Sequence, residues 1–331
     1  MESPFPKSSS VAGGGRIVVK LLPDGLSGLE ALTYQYPLKL ISPSRSLETR
    51  SVLVFLLSYG GGLVGGDSVS LAIQVEPNAR LSIVTQGHTK VFKSATADVV
   101  TRQALNVEVA SRGALCLLPD PVQPFADSVY EQTQIFKLAD EASLCLLDWV
   151  TQGRTARGEH WSFTRWFGRN EVWKTGFSSD ARQRLLVRDN LFLTADQDHN
   201  QTQSLQKSTY GMAVFGTLIL TGPLMEDLGS FFLAEFASLP RLGARDFRTD
   251  DAVTQDSAQV SAEERWRSER AVLEKAKRLL WTAANVRGCV VVKFGAPDVE
   301  TGRIWLGSML SQEGSIARNF GDHALLCVRP T

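Results

Sequence analysis

Cysteine is scarce in these 331 residues: four, at Cys116, Cys145, Cys289 and Cys327, far apart and never in a CxxC pair. Such spacing supplies neither a disulfide framework nor a structural zinc site. Histidine is equally thin, at His88, His160, His199 and His323. No GxSxG and no Gly-Lys-Ser/Thr occurs, so a serine-hydrolase elbow and a phosphate-cradling P-loop are both missing. Charge of one sign is lacking too. Lys+Arg and Asp+Glu number 35 each, which calls for neither nucleic acid nor a membrane surface as partner. No uncharged apolar run reaches the roughly 18 residues of a membrane span. The opening MESPFPKSSSVAGGG holds no apolar signal region. These absences predict a soluble, cytoplasmic protein whose residues 1–15 form a disordered tail. Residues 16–331 are expected to form one β-rich domain, since 43% apolar composition is ample for a core.

Glycine is plentiful at one place. Gly60, Gly61, Gly62, Gly65 and Gly66 fall within seven residues and are closed by Asp67. Residues 60–65 match GxGxxG, which binds a dinucleotide only where a helix follows. Here residues 68–75, SVSLAIQV, alternate polar and apolar and read as a strand. The glycines therefore predict a sharp turn between strand 52–57 and strand 68–75. A third strand spans 80–84, and residues 85–90 form a polar hairpin.

Strands at 16–21 and 34–40 open the chain. Beyond residue 71, strands 71–75, 105–109 and 132–136 are each followed by a turn and a second strand, at 79–84, 114–118 and 143–147. Repeated units of this size predict a mainly β, stacked-sheet architecture of β-helix or solenoid type. Ser82, Cys116 and Cys145 then share one position on successive layers, as small core residues rather than a thiol ladder for metal.

Two or three helices are expected to pack on the sheets. One starts at Pro223 and carries Leu224, Leu228, Phe231, Phe232 and Leu239. A second opens on the capping box Ser261–Glu264 and aligns Trp266, Leu273 and Leu280, flanked by Val272 and Leu279. Asp298 caps a third, after a buried strand at 289–294. Residues 240–260 are polar, acidic in patches, and predict a mobile insertion.

The segment 153–188 is basic, with Arg154, Arg157, Arg165, Arg169, Lys174, Arg182, Arg184 and Arg188 around Trp161, Trp166 and Trp173. Ordinary strands with a solvated basic face and inward tryptophans would give this pattern. So would a partner-binding edge, where Trp and Arg concentrate binding energy.

Residues 59–67 together with Thr85, Gly87, Thr89, Lys90, Val91, Phe92 and Ser94 resemble the urease accessory proteins of the UreD/UreH family. Its "GG-x-VGGD" and "T-x-G-x-TK-x-[FY]-[KR]S" pieces stand in order, and residues 153–159 resemble its "GRxARGE" piece. The likeness covers roughly 52–224. It implies a non-catalytic scaffold and metallochaperone that binds apo-urease, a helical accessory protein of the UreF type and a GTPase of the UreG type. No cofactor would be stably bound, and nickel(II) would be in transit toward the urease active site. The resemblance favours a partner-binding edge at Arg154, Arg157, Trp161, Arg165, Trp166 and Arg169. Asp67, His88, Glu159 and His160 are candidates for transient nickel contacts, with Asp127 and Asp148 behind them. For Asp67 the commoner role is a turn carboxylate bonded to nearby N–H groups. The alternative function is a β-helical polysaccharide lyase or glycosidase using carboxylates such as Asp120, Asp127 or Glu159 near Arg154 or Arg157.

Overall fold

The computed structural model describes residues 11–44, 50–176, 183–194, 205–239 and 261–329. Strands β1 (Gly14–Leu21), β2 (Ser27–Tyr34), β3 (Leu38–Ile41), β4 (Val52–Ser58), β5 (Ser68–Val75) and β6 (Arg80–Val84) come first. There follow β7 (Thr89–Val91), β8 (Thr101–Val109), β9 (Ala114–Leu117), β10 (Val122–Pro124), β11 (Val129–Leu138) and β12 (Ser143–Thr151). Next come β13 (Arg165–Lys174), β14 (Arg184–Thr194), the short α1 (Leu205–Ser208), β15 (Val214–Thr221), α2 (Glu226–Ala237) and α3 (Ala262–Lys277). The hairpin of β16 (Leu280–Val286) and β17 (Cys289–Ala296) precedes α4 (Val299–Glu313) and α5 (Ser315–Phe320).

The strands make two stacked mixed sheets. One runs β14-β13-β11-β8-β5-β1-β2, the other β16-β17-β15-β12-β9-β6-β4-β3. In the middle of the molecule the chain alternates between them. Strands β5, β8, β11 and β13 pair in parallel in the first sheet, and β4, β6, β9 and β12 in the second. A parallel pair needs a crossover, and here each crossover passes through a strand of the opposite sheet. The flanks are antiparallel: β1 with β2, β3 with β4, β13 with β14, and β12-β15-β17-β16. Parallel winding thus occupies the centre only.

Two apolar cores result. One lies between the sheets, around Leu71, Leu105, Leu115, Phe136, Leu146 and Trp166. The other lies between the second sheet and the helices, around Leu147, Leu218, Phe232, Trp305 and Phe320. The second sheet is therefore covered on both faces, which is why β9 reads as the unbroken run Ala-Leu-Cys-Leu. The first sheet is wet on its outer face, and β5 alternates exposed and buried along its length. Ser82, Cys116 and Cys145 are register neighbours, as the repeat predicts. All three are buried. Burial and the neighbouring Cys145 push the Cys116 thiol well up, so it is an inert packing group.

Several expected boundaries move. Residues 34–40 are not one strand: the chain turns at Gln35–Pro37, where Leu38 N–H donates to Gln35 O (3.0 Å). The start of the chain's first strand also moves: Gly13 N–H donates to Tyr36 O (2.7 Å) and β1 starts at Gly14, inside the stretch 1–15 expected to be a tail. The second helix keeps its capping box but stops at Lys277, with Arg278 left-handed (φ 53°). Leu279 and Leu280 therefore leave its stripe, and Val272 is 68% exposed. Residues 1–10, Arg182, His199 and the expected insertion at 240–260 lie outside the described residues. Among the described residues no helix is long and apolar enough to cross a membrane.

Candidate functional site

The three signature pieces gather at one end of the sheets. In the glycine loop, Gly60, Gly61 and Gly66 are left-handed (φ 70°, 74° and 92°), and β5 follows directly at Ser68, so no helix faces a phosphate. The loop runs alongside β7 instead. Leu63 N–H donates to Lys90 O (2.8 Å) and Phe92 N–H to Leu63 O (2.9 Å). A Cβ on Gly62 would stand 2.8 Å from Lys90 O, and one on Gly65 2.9 Å from Lys93 O, so glycine permits this approach. Strand β10 lies on the other side of β7. Phe92 meets Phe125 edge-on at 5.3 Å, and the Arg154 guanidinium stacks 4.0 Å above the Phe125 ring. Phe125 thus joins the second and third pieces. Sequence reasoning missed it, because its only local signal is an aromatic between two turns.

The individual candidates have mostly structural partners. Asp67 Oδ2 accepts from Val64 N–H (2.8 Å), the turn role expected of it. Glu159 is 7% exposed. Burial would raise its pKa, but the Arg154 side chain and the N–H groups of Arg154 and Ala126 hold it below the usual carboxylate range. His160 is exposed, with Nδ1 3.1 Å from Gln152 Oε1. Burial lowers the His88 pKa, against an opposing pull from Asp120. Among the described residues no three His, Cys, Asp or Glu side chains group closely enough to hold a metal ion.

The predicted partner-binding edge is corrected in part. Trp161 and Trp166 are 3% and 1% exposed, because the inward phase of β13 carries Trp166, and Trp161 Nε1–H donates to Met212 O (2.9 Å). Neither can present a binding face. The basic residues are locally neutralised: Arg165 by Glu131 (3.1 Å), Arg169 and Arg188 by Glu171, and Lys174 by Asp140 (2.8 Å). Arg157, at the tip of a short turn, is exposed and has no ion pair among the described residues.

The carboxylates of the enzyme alternative are similarly engaged. Asp120 accepts from Thr85 Oγ1 (3.0 Å), Gly87 N–H (2.9 Å) and Arg303 (2.8 Å), and Asp127 pairs with Lys93 (2.8 Å). Ser51 Oγ lies 3.0 Å from His323 Nε2, the spacing of a nucleophile and its base. However, Ser51 gives its one hydrogen to Phe320 O (2.6 Å), so the imidazole must donate to it. That contact is a latch, not a dyad.

Polar groups also line the space between the sheets. Asp148 on β12 accepts from Gln132 Nε2 (2.9 Å) and Asn170 Nδ2 (2.6 Å), and Gln134 donates to Asn170 Oδ1 (3.0 Å). Burial raises the Asp148 pKa against these two amide bonds. A cavity of about 120 Å³ adjoins it, walled by Asn170, Asp189, Lys293, Thr217 and Trp166. Among the described residues the Trp166 Nε1–H in that wall has no hydrogen-bond partner. Such a space is polar and roomy enough for water. A sequence signal existed, since Gln132 and Gln134 fall on the inward phase of β11.

Two mixed sheets backed by helices, with distinctive loops clustered at one end and polar groups between the layers, define a β-framework protein. Its signature residues pack loops together rather than assemble a nucleophile. Residues 13–326 match the UreD urease accessory protein family, and the chain belongs to that family. It is 36% identical over 293 residues to a ureD-like urease accessory protein of Schizosaccharomyces pombe, covering 88% of this chain and 90% of that one. It is 30% identical over 311 residues to urease accessory protein 4 of Cryptococcus neoformans (85% of each chain). With UreD of Sorangium cellulosum it shares 42% identity over 165 residues, 50% of this chain and 51% of the other. The family places the chain in urease maturation.

Proposed function

We propose that this protein is a non-catalytic scaffold and metallochaperone of urease maturation. It binds apo-urease together with a helical accessory protein of the UreF type and a GTPase of the UreG type, and passes nickel(II) toward the urease active site without storing it. The central parallel strands are then one β-helical winding whose interior is the route. The observation that carries this is Asp148 with its amide partners beside the cavity between the sheets. Oxygen donors that are few and already hydrogen-bonded suit an ion that must leave again. Asp67, His88, Glu159 and His160 are lesser contacts, since two of them are engaged by the fold.

Deletion of the gene from a urease-positive host tests the function. Urease polypeptide should accumulate without activity, and full activity in the deletant would refute the proposal. Complementation with Asp148→Ala should restore the chain but markedly less urease activity, and equilibrium dialysis of the isolated wild type should show weak rather than stoichiometric nickel binding.

A further inference from the structure

A second feature of the signature end has no role in the packing just described. Lys39, Tyr59, Gly60, Gly61, Gln86 and His88 line a pocket of about 260 Å³. Tyr59 of that lining is 41% exposed and pairs with Tyr36, which is 61% exposed, with ring centroids 5.7 Å apart. Lys39 Nζ lies 5.5 Å from the centre of the Tyr59 ring. Paired, exposed aromatics beside a cation are an unusual surface for water alone to cover.

The backbone here is open as well. A Cβ on Gly60, Gly61 or Gly87 would meet no atom within 4 Å, and all three are left-handed. Another chain can therefore approach the main chain closely at three neighbouring points. The charge has one sign. Neither Lys39 nor Lys90 has an ion-pair partner among the described residues, and no carboxylate lines the pocket. Asp120, bonded to the 85–87 loop, already accepts from Thr85, Gly87 and Arg303. Through those bonds Arg303 of α4 holds the 85–88 loop in place from behind.

We propose that this end is a docking surface for an acidic segment of a partner polypeptide, with one carboxylate side chain entering the pocket toward Lys39 and an apolar neighbour lying on the Tyr36–Tyr59 pair. The partner's place in urease maturation rests on the function proposed above; the chemistry of the surface does not.

The test uses the full chain and two fluorescein-labelled peptides, one with glutamates flanking a single leucine and one with lysines in their place. Anisotropy should show binding of the acidic peptide alone, weakening as salt rises. Lys39→Glu should cost about tenfold or more in affinity, and Tyr36→Ala with Tyr59→Ala a comparable loss. Thermal unfolding should be unchanged in both, and Lys20→Glu, on the outer face of the first sheet, should bind as wild type. Absence of acidic-peptide binding, or equal binding by wild type and Lys39→Glu, overturns the proposal. The two proposals fail separately. A chain that binds the peptide but cannot restore urease in the deletion host defeats the maturation role and leaves the surface standing. A chain that restores urease, while its Lys39→Glu variant binds the peptide unchanged, defeats the surface alone.

Discussion

At Glu159 a nearly buried carboxylate meets the Arg154 guanidinium and two backbone N–H groups. Removing its charge leaves those donors short of an acceptor, so Glu159→Gln should destabilise by about 2 kcal/mol in urea unfolding. The pH dependence has a definite sign. Its pKa is held below the ordinary 4.5, so this stabilisation is present above that value and is lost as pH falls through the lower folded value. Two histidines act higher on the scale. Burial holds His88 and His323 below 6.5. Their contribution is complete above 6.5 and declines as pH drops, because the unfolded chain takes up protons first. Replacing both with glutamine should flatten the melting temperature between pH 7 and about pH 5. Single residues were legible where chemistry is local, as at Asp67. They were not where chemistry is long-range: an arginine beside a tryptophan reads alike on a surface and in a core, so Trp161 and Trp166 could not be told from hot-spot residues.

Among the elements, the glycine loop should respond position by position. Gly62→Ala and Gly65→Ala push against the backbone of residues 90–94 and should lower the melting temperature more than Gly60→Ala, which meets only left-handed strain of about 1 kcal/mol. Helix α3 presents a different case. Its one fully buried residue is Arg270, paired with the buried Glu235 of α2 at 2.9 Å. Removing Arg270 leaves Glu235 with the half-exposed Arg267, and removing Glu235 leaves Arg270 with Glu274 at 3.5 Å, so either loss weakens a buried pair at a cost of about 3 kcal/mol. Arg270→Met combined with Glu235→Leu should therefore be less destabilising than either exchange alone, which a double-mutant cycle in urea would measure. Strands β5 and β6 were legible to the residue because alternation and turn residues agree there. The end of α3 was not, since Leu280 stays in phase with Trp266 and Leu273 although the chain has already reversed at Arg278. The three signature pieces were each legible, but the meeting of the second and third through Phe125 depends on pairing between β7 and β10, which no local pattern encodes.

On the scale of the molecule, the second sheet has cover on both faces, and much of the helical cover follows the strands in sequence. Ile316, Phe320, Leu325 and Val328 are at most 1% exposed, and each such side chain contributes about 2 kcal/mol by burial. A chain ending at Glu313 should therefore be largely insoluble, or melt well below the full chain in a thermal scan. The same stretch reaches back to the ends of β4 and β6. Arg80 donates to Asn319 O (2.7 Å), Ser51 to Phe320 O, and Cys327 Sγ to Thr85 O (3.3 Å). Residues 319–327 thus fasten strands that stand 239 to 269 positions before them in the chain. Until this stretch has left the exit tunnel, the nascent protein must hold an unclosed apolar face away from its neighbours, and products cut short before it would go to the quality-control machinery rather than give partly active protein.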